Sequence, residues 1–229
     1  MKPIVRWTIG IDNPDSYFAL NLSIHNFYKI YSDKFDYYVC YNNCDPEFIT
    51  KEIKVNLINQ NDHIDSLPCM PFATSWKLYP PSINEKTHEI FLDNDLVLYR
   101  PIKMIDAFLS SHDMTLLTEG FNRRFGKFDN RIRPGLKFNS GLIGIPPLYN
   151  FKQKIIDTLN NDIWEDWFDE QGCVSLILSH DKNFKCISIK DIHVCFEELC
   201  FGYSGIHFVG LNGNCNYFWQ RFFKRFKLL

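Results

Sequence analysis

The stretch "IFLDNDLVLYRPI" (residues 90–102) decides how this chain is read. Ile90, Phe91 and Leu92 form the short apolar run of a buried strand, Asp93 and Asp95 then flank Asn94, and the chain turns apolar again. Two carboxylates one residue apart repel each other. Burying either one unpaired costs several kcal/mol or neutralises it, so something must compensate them. An acid pair at the carboxyl end of a central strand sits where open α/β sheets place their ligand crevice. A divalent cation there would offset both charges. Carboxylate oxygens suit Mg2+ or Mn2+ and leave coordination positions for phosphate. The other reading is a pair of loop acids that merely end a strand, and a lone D-x-D does not separate the two.

The 229 residues set one domain, or at most two small ones, as the expected size. With 45% hydrophobic residues the chain can bury a full core, and a formal net charge of −2 gives no global attraction to nucleic acid. "MKPIVRWTIG" runs straight into a strand pattern and does not read as a signal peptide. There is no run of about 18 apolar residues to span a bilayer. The eight cysteines show no C-x-x-C spacing, so they read as reduced core thiols of a cytoplasmic protein.

Strand and helix signals alternate. "IVRWTIG" (4–10), "DYYVCYN" (36–42), "VNLINQ" (55–60), "HEIFLDND" (88–95), "DMTLLTE" (113–119), "KFNSGLIGIPP" (137–147) and "KCISIK" (185–190) read as strands. Helical spacing covers 17–31, 149–162 and 169–178, with "NPDS" (13–16) as a cap ahead of the first. "SWKLYPPSINE" (75–85) reads as a helix stopped by two prolines. "GFNRRFGKFDNRIRPG" (120–135) is basic and aperiodic. It reads as a loop closing over the site, with Gly126 and Gly135 as hinges. The alternation predicts an α/β fold with a mixed, mostly parallel central sheet flanked by helices.

"FLDNDLVLYRPI" resembles the D-x-D segment of the type-A-fold (GT-A) nucleotide-sugar glycosyltransferases, especially the family of glycogenin and the bacterial lipopolysaccharide galactosyl- and glucosyltransferases. Further matches follow in family order. Lys77 in "SWKLY" lies sixteen residues before Asp93, "FNSG" (138–141) matches F-N-[AS]-G, "EQG" (170–172) matches D-Q-[DG], and "IHFVG" (206–210) matches H-[FY]-x-G. "TIG" and "PDSY" (8–10, 14–17) look like the first strand and its nucleotide loop.

The resemblance implies a single GT-A domain over 1–229, with 1–100 as the nucleotide-binding part, 101–215 as the acceptor and catalytic part, and 216–229 as a basic aromatic tail. It implies transfer of a hexose from a UDP-sugar to an acceptor hydroxyl of a carbohydrate or glycoconjugate, with retention of configuration. Asp93, Asp95 and His207 would hold Mn2+, with Mg2+ as the second candidate. Thr8, Ile9, Gly10, Tyr17, Lys77, Asp93 and Gly210 would bind the donor, with Tyr17 stacked on the uracil ring. Asn139, Glu170 and Gln171 would face the reacting sugars.

Two departures stand out: Gly213 falls where the family carries a Lys, and two extra residues separate "TIG" from "DSY". Arg123, Arg124, Arg131 or Arg133 are candidates to replace that Lys. "YFWQRFFKRFKLL" (217–229) has the composition of an interfacial segment, a peripheral membrane contact, or else of a terminal helix packed on the sheet. Two competing classes remain. "FLDNDLV" also fits the D-x-D-x-[TV] of haloacid dehalogenase-type phosphatases, and a non-catalytic sugar-binding descendant of a transferase would keep the same motifs.

Overall fold

The computed structural model describes residues 1–120, 124–195 and 202–209. Arg123, Gly210, Gly213 and the 217–229 segment lie outside the described residues. In chain order the elements are β1 (Ile4–Ile9), α1 (Pro14–Tyr31), β2 (Asp36–Tyr41), β3 (Asn56–Asn59), β4 (Glu89–Asp93), β5 (Leu96–Leu98), α2 (Lys103–Leu109), β6 (Thr115–Glu119), β7 (Phe138–Ile145), α3 (Phe151–Leu159), α4 (Asp169–Ser179), β8 (Phe184–Ile187), β9 (Ile192–Val194) and β10 (Gly205–His207). Seven strands form the central sheet in the order β3-β2-β1-β4-β7-β6-β8, and β5-β10-β9 form a small second sheet. β7 runs antiparallel to both of its neighbours, while the other pairs of the large sheet are parallel. This is the mixed, mostly parallel α/β architecture that the alternation predicts.

Helix α1 forms because Asn13 caps it, its side chain accepting from the Ser16 amide at 2.8 Å, with Pro14 in the first turn. Tyr17, Leu20, Ile24, Phe27 and Tyr31 recur at helical spacing and face the sheet. They pack against Val5, Trp7, Ile90 and Leu92 in one core. The opposite face of β4 carries Phe91 into a second core with α3 and α4. Strands buried on both faces explain the near-continuous apolar runs of β1 and β4.

Two charges interrupt those runs, Arg6 in β1 and Glu89 in β4, and both are buried. The Arg6 Nε lies 3.1 Å from the Glu89 Oε1. The other guanidinium nitrogens donate to the Pro80 carbonyl at 2.7 Å and the Lys77 carbonyl at 3.2 Å, and the group stacks 3.7 Å from the Phe91 ring centroid. The second oxygen of Glu89 accepts from the Ser82 hydroxyl at 3.0 Å and the Ile83 amide at 2.9 Å. One ion pair thus fixes the segment from Lys77 to Ile83 against the sheet.

Two expectations are corrected here. The helix expected over 75–85 is a six-residue 3-10 helix, Ala73–Leu78. Its carbonyls are taken up by Arg6 and by the Gln60 amide, which donates to Trp76 and Tyr79, so no α-helical ladder develops. The described part of the 120–135 loop is no open flap. Phe125, Phe128 and Ile132 are buried in the second core, and Gly126–Arg131 forms a 3-10 helix against α4. A Cβ on Gly126 would meet the Asp169 carboxylate at 2.0 Å, so Gly126 is a packing position and not a hinge. All six cysteines among the described residues are free thiols. Among the described residues no helix is long and apolar enough to cross a membrane.

Removing Arg6 leaves Glu89 as an uncompensated buried charge. Arg6→Ala is expected to destabilise the protein by about 3–5 kcal/mol in urea unfolding. The double variant Arg6→Met, Glu89→Leu should recover much of that loss, and a double variant as unstable as the single one would contradict this account.

Candidate functional site

The site forms where the chain changes sheets. β4 ends at Asp93, a two-residue turn follows, and β5 begins at Leu96 in the second sheet. β10 pairs antiparallel with β5, with His207 opposite Leu96, and the Phe208 amide donates to the Asp95 carbonyl at 3.0 Å. The turn therefore points both acids at one imidazole. His207 Nε2 lies 3.3 Å from Asp93 Oδ2 and 3.3 Å from Asp95 Oδ1.

The three ligand-type atoms of Asp93, Asp95 and His207 lie within 4.8 Å of one another. Octahedral bonds of ~2.1 Å set adjacent donors about 3 Å apart, close to these spacings. The buried Asp95 Oδ1 faces the His207 imidazole. Two carboxylate oxygens and one imidazole nitrogen at these spacings fit a divalent cation.

Lys77 enters from the other side. Its ammonium is 2.5 Å from Asp93 Oδ1 and 3.6 Å from Glu170 Oε1, and it donates to the Ser140 carbonyl at 2.9 Å. The 3-10 helix that carries it is held from behind by Arg6 and by a buried amide relay, in which Asn42 donates to Gln60 at 2.6 Å. A Cβ on Gly10 would meet the Asn42 side chain at 2.6 Å, so this glycine is needed for the relay to close under the β1 terminus.

β7 supplies the third wall through a bulge. Its pairing with β6 jumps from Leu117–Ile143 to Thr118–Asn139, which leaves Ser140, Gly141 and Leu142 unpaired with β6. The Thr118 hydroxyl stitches the bulge, donating to the Asn139 carbonyl at 3.0 Å and accepting from the Leu142 amide at 3.1 Å. The bulge aims Ser140 at Lys77 and Glu170, its hydroxyl lying 3.1 Å from Glu170 Oε2. Asn139 Oδ1 accepts from the Gly141 amide at 2.7 Å. A Cβ on Gly141 would fall 2.3 Å from His207 Cε1, so the "FNSG" glycine makes room for the imidazole.

The first turn of α4 completes the cluster. Gln171 accepts from the Ser140 amide and donates to the Arg124 carbonyl, both at 3.4 Å. Asp169 takes a role that sequence reasoning missed. Its buried carboxylate accepts from the amides of Lys127, Glu165 and Asp166 at 2.8–2.9 Å, tying both flanking loops to the helix. The acid at a helix N-terminus was the only signal for it.

Electrostatics set each protonation state. Burial disfavours a charged Asp93, but the Lys77 ammonium and His207 outweigh it and hold the carboxyl down at about 2. Burial raises Asp95, with His207 pulling the other way and Asp93 adding to the rise. Burial would lower His207, yet Asp95 and Asp93 together hold its imidazole up at about 9. Burial pushes Glu170 up to about 7 against the opposing pull of Lys77.

The remaining candidates fall as follows. Thr8 pairs with Asp93 across the β1–β4 ladder, Ile9 ends the same strand and Gly10 follows it. Tyr17 is not placed to stack on a base. Its ring is 7% exposed and packs on Phe48, while its hydroxyl donates to Asp12 and accepts from the Asp45 amide. Arg131 donates to the Thr158 carbonyl on α3, which directs it away from the cluster.

No protein-family model matches the sequence, and no curated protein does either. Solved structures do. Mouse xyloside xylosyltransferase 1 superposes with a TM-score of 0.58 at 14% identity, over 94% of this chain and 99% of that one. The galactosyltransferase LgtC, in complex with donor and acceptor sugar analogues, gives 0.63 at 10% identity over 96% and 94%. The bifunctional glycosyltransferase WbbM gives 0.65 at 12% identity over 91% of this chain, which spans about half (46%) of that one.

Two outcomes test the site. Gly141→Ala should displace His207 and lower Mn2+ affinity in titration calorimetry by at least about tenfold, with an unchanged far-UV spectrum. For Glu170, the raised folded-state pKa means that the native protein holds a proton which the unfolded chain releases first. Its stability contribution is full below about 4.5 and falls as pH rises towards about 7. The melting temperature of Glu170→Gln minus that of wild type should therefore grow across this window, and a constant difference would refute the assignment. The superpositions, at these low identities, establish one thing: the chain has the type-A glycosyltransferase fold that its motifs resemble.

Proposed function

We propose that this protein is a metal-dependent glycosyltransferase that moves a hexose from a UDP-sugar to an acceptor hydroxyl with retention of configuration. One observation carries the reading. Lys77, Glu170 and the Asp93–Asp95–His207 cluster converge at the carboxyl ends of β1 and β4, where an α/β sheet opens its crevice.

A divalent cation held by Asp93, Asp95 and His207 would supply positive charge to the leaving diphosphate. The chain's own residues do the rest. Lys77 already stands against Asp93 and offers a second cation to a diphosphate oxygen, worth most in a site that excludes water. Glu170, buried and held by the Ser140 hydroxyl, orients sugar hydroxyls, as does the free amide end of Asn139. Gln171 lies between the bulge and Arg124, where its amide can stabilise charge beside the reacting carbon. An amide is a poor nucleophile, which favours attack on the same face as the departing phosphate.

The phosphatase reading loses support. Its motif needs a second acidic pair for Mg2+, whereas among the described residues the acid that joins this cluster from elsewhere is Glu170, held by Lys77 and Ser140.

UDP with Mn2+ at about 100 times its Kd should stabilise the protein by roughly 2.7 kcal/mol in thermal shift, and EDTA should abolish both the shift and the turnover. Asp95→Asn should lower turnover on the order of a hundredfold. Phosphate release from monoesters would restore the phosphatase, and UDP binding without turnover on any donor would mark a non-catalytic binder.

A further inference from the structure

Ser140 is 5% exposed, and its polar atoms are all turned on the cluster. The bulge takes it out of the ladder with β6, and the pairing of β7 with β4 stops at Leu142, so neither neighbouring strand claims its backbone. Its amide donates to Gln171 Oε1 at 3.4 Å, and its carbonyl accepts from Lys77 Nζ at 2.9 Å. Its hydroxyl lies 3.1 Å from Glu170 Oε2 and 3.4 Å from Lys77 Nζ. One residue of the central sheet thus holds three side chains of the site.

The neighbours fix which way the hydroxyl points. An ammonium has no lone pair, so the Ser140 oxygen accepts from Lys77 and its single proton goes to the Glu170 carboxylate. A hydrogen bond to a charged acceptor is among the stronger ones. Among the described residues it is the hydrogen bond that Glu170 Oε2 receives, with Lys77 Nζ 3.6 Å from Oε1. The two side chains do not depend on the hydroxyl equally. Lys77 keeps the Ser140 carbonyl and the Asp93 carboxylate whatever side chain stands at position 140, whereas Glu170 loses its donor if the hydroxyl goes.

The two motifs explain why an anchor is needed. Glu170 stands where D-Q-[DG] has the shorter Asp, and Ser140 stands at the open position of F-N-[AS]-G. A glutamate has one more rotatable bond than an aspartate, so its carboxylate must be held by a partner to meet a sugar hydroxyl in one place. Serine supplies that partner and alanine does not.

We propose that Ser140 is a positioning residue for the transferred sugar: its hydroxyl holds the Glu170 carboxylate where the sugar ring of the donor, rather than the nucleotide, is recognised. The inference rests on the glycosyltransferase reading and adds to it a residue that acts through Glu170 and not on the substrate itself.

The test is titration calorimetry of the full chain with Mn2+, comparing UDP with UDP-glucose and UDP-galactose. Wild type, Ser140→Ala, Glu170→Ala and the double variant are measured. The readout is the Kd of UDP divided by the Kd of the tighter sugar donor, which reports what the sugar ring adds. Ser140→Ala should lower this ratio by about tenfold, the scale of one hydrogen bond to a charged group. Glu170→Ala should lower it at least as far, and the double variant should match Glu170→Ala. A general loosening of the fold would weaken all ligands together and leave the ratio where it was. A ratio unchanged in Ser140→Ala, a further fall in the double variant, or a wild-type ratio of about one overturns the proposal. Failure of UDP itself to bind the wild-type protein overturns the transferase reading separately, because that binding involves no sugar ring.

Discussion

A guanidinium buried between two central strands governs the geometry of this molecule. Arg6 neutralises Glu89 inside the sheet, and its remaining donors hold the backbone carbonyls of Lys77 and Pro80. Hydrophobic residues in both places would give a sheet of similar stability, since a buried ion pair is a weak source of net stabilisation. What the pair adds is direction. It presses a short, strained-looking segment, whose own helical hydrogen bonds are few, onto one side of the sheet. Lys77 then projects towards Asp93, Glu170 and the Ser140 carbonyl. The buried cation of the site is thus carried on a backbone held from beneath.

The second constraint is topological. A strand that continued through Asp95 would alternate its side chains and keep Asp93 and Asp95 on one face of one sheet, without His207. The chain leaves the large sheet after Asp93 and enters the small one at Leu96, and β10 brings His207 from more than a hundred residues away to close the angle. The bulge in β7 is the matching device on the other side. It breaks the ladder where Ser140 and Gly141 must leave the sheet, and the Thr118 hydroxyl satisfies the backbone groups that the bulge exposes.

Much of this was legible in the sequence, and the parts that were not share a cause. β1 and β4 announce themselves as continuous apolar runs buried on both faces, and α1 by the helical spacing of its buried face. β5, β9 and β10 are three residues each, too short for any period, and their existence depends on one another. The helix expected over 75–85 begins two residues earlier, stops at Leu78 and has a tighter pitch, because Arg6 and Gln60 claim its carbonyls from elements distant in sequence. Tyr17 matched a motif by position, but Phe48 and Asp12 take its ring and hydroxyl. Arg6 and Glu89 were readable in principle. The cation in "IVRWTI" and the glutamate that opens "EIFLD" are opposite charges in two buried strands, and adjacent strands are where such a pair meets.

The cluster also explains why two acids stand one residue apart. Three carboxyl groups, from Asp93, Asp95 and Glu170, meet two basic side chains, Lys77 and His207. The imbalance is visible in how the groups hold protons. Asp93 alone is driven towards the anion, whereas Asp95 and Glu170 are pushed the other way and His207 clings to its proton. A set of acids built only to end a strand would relieve this strain by facing water. Here Asp95 and Glu170 are buried, facing His207 and Lys77. The arrangement sets three acids against two bases, in a place fixed by the sheet, the bulge and α4 together. That surplus, more than the D-x-D spelling, is the physical ground for expecting positive charge to arrive from outside the chain.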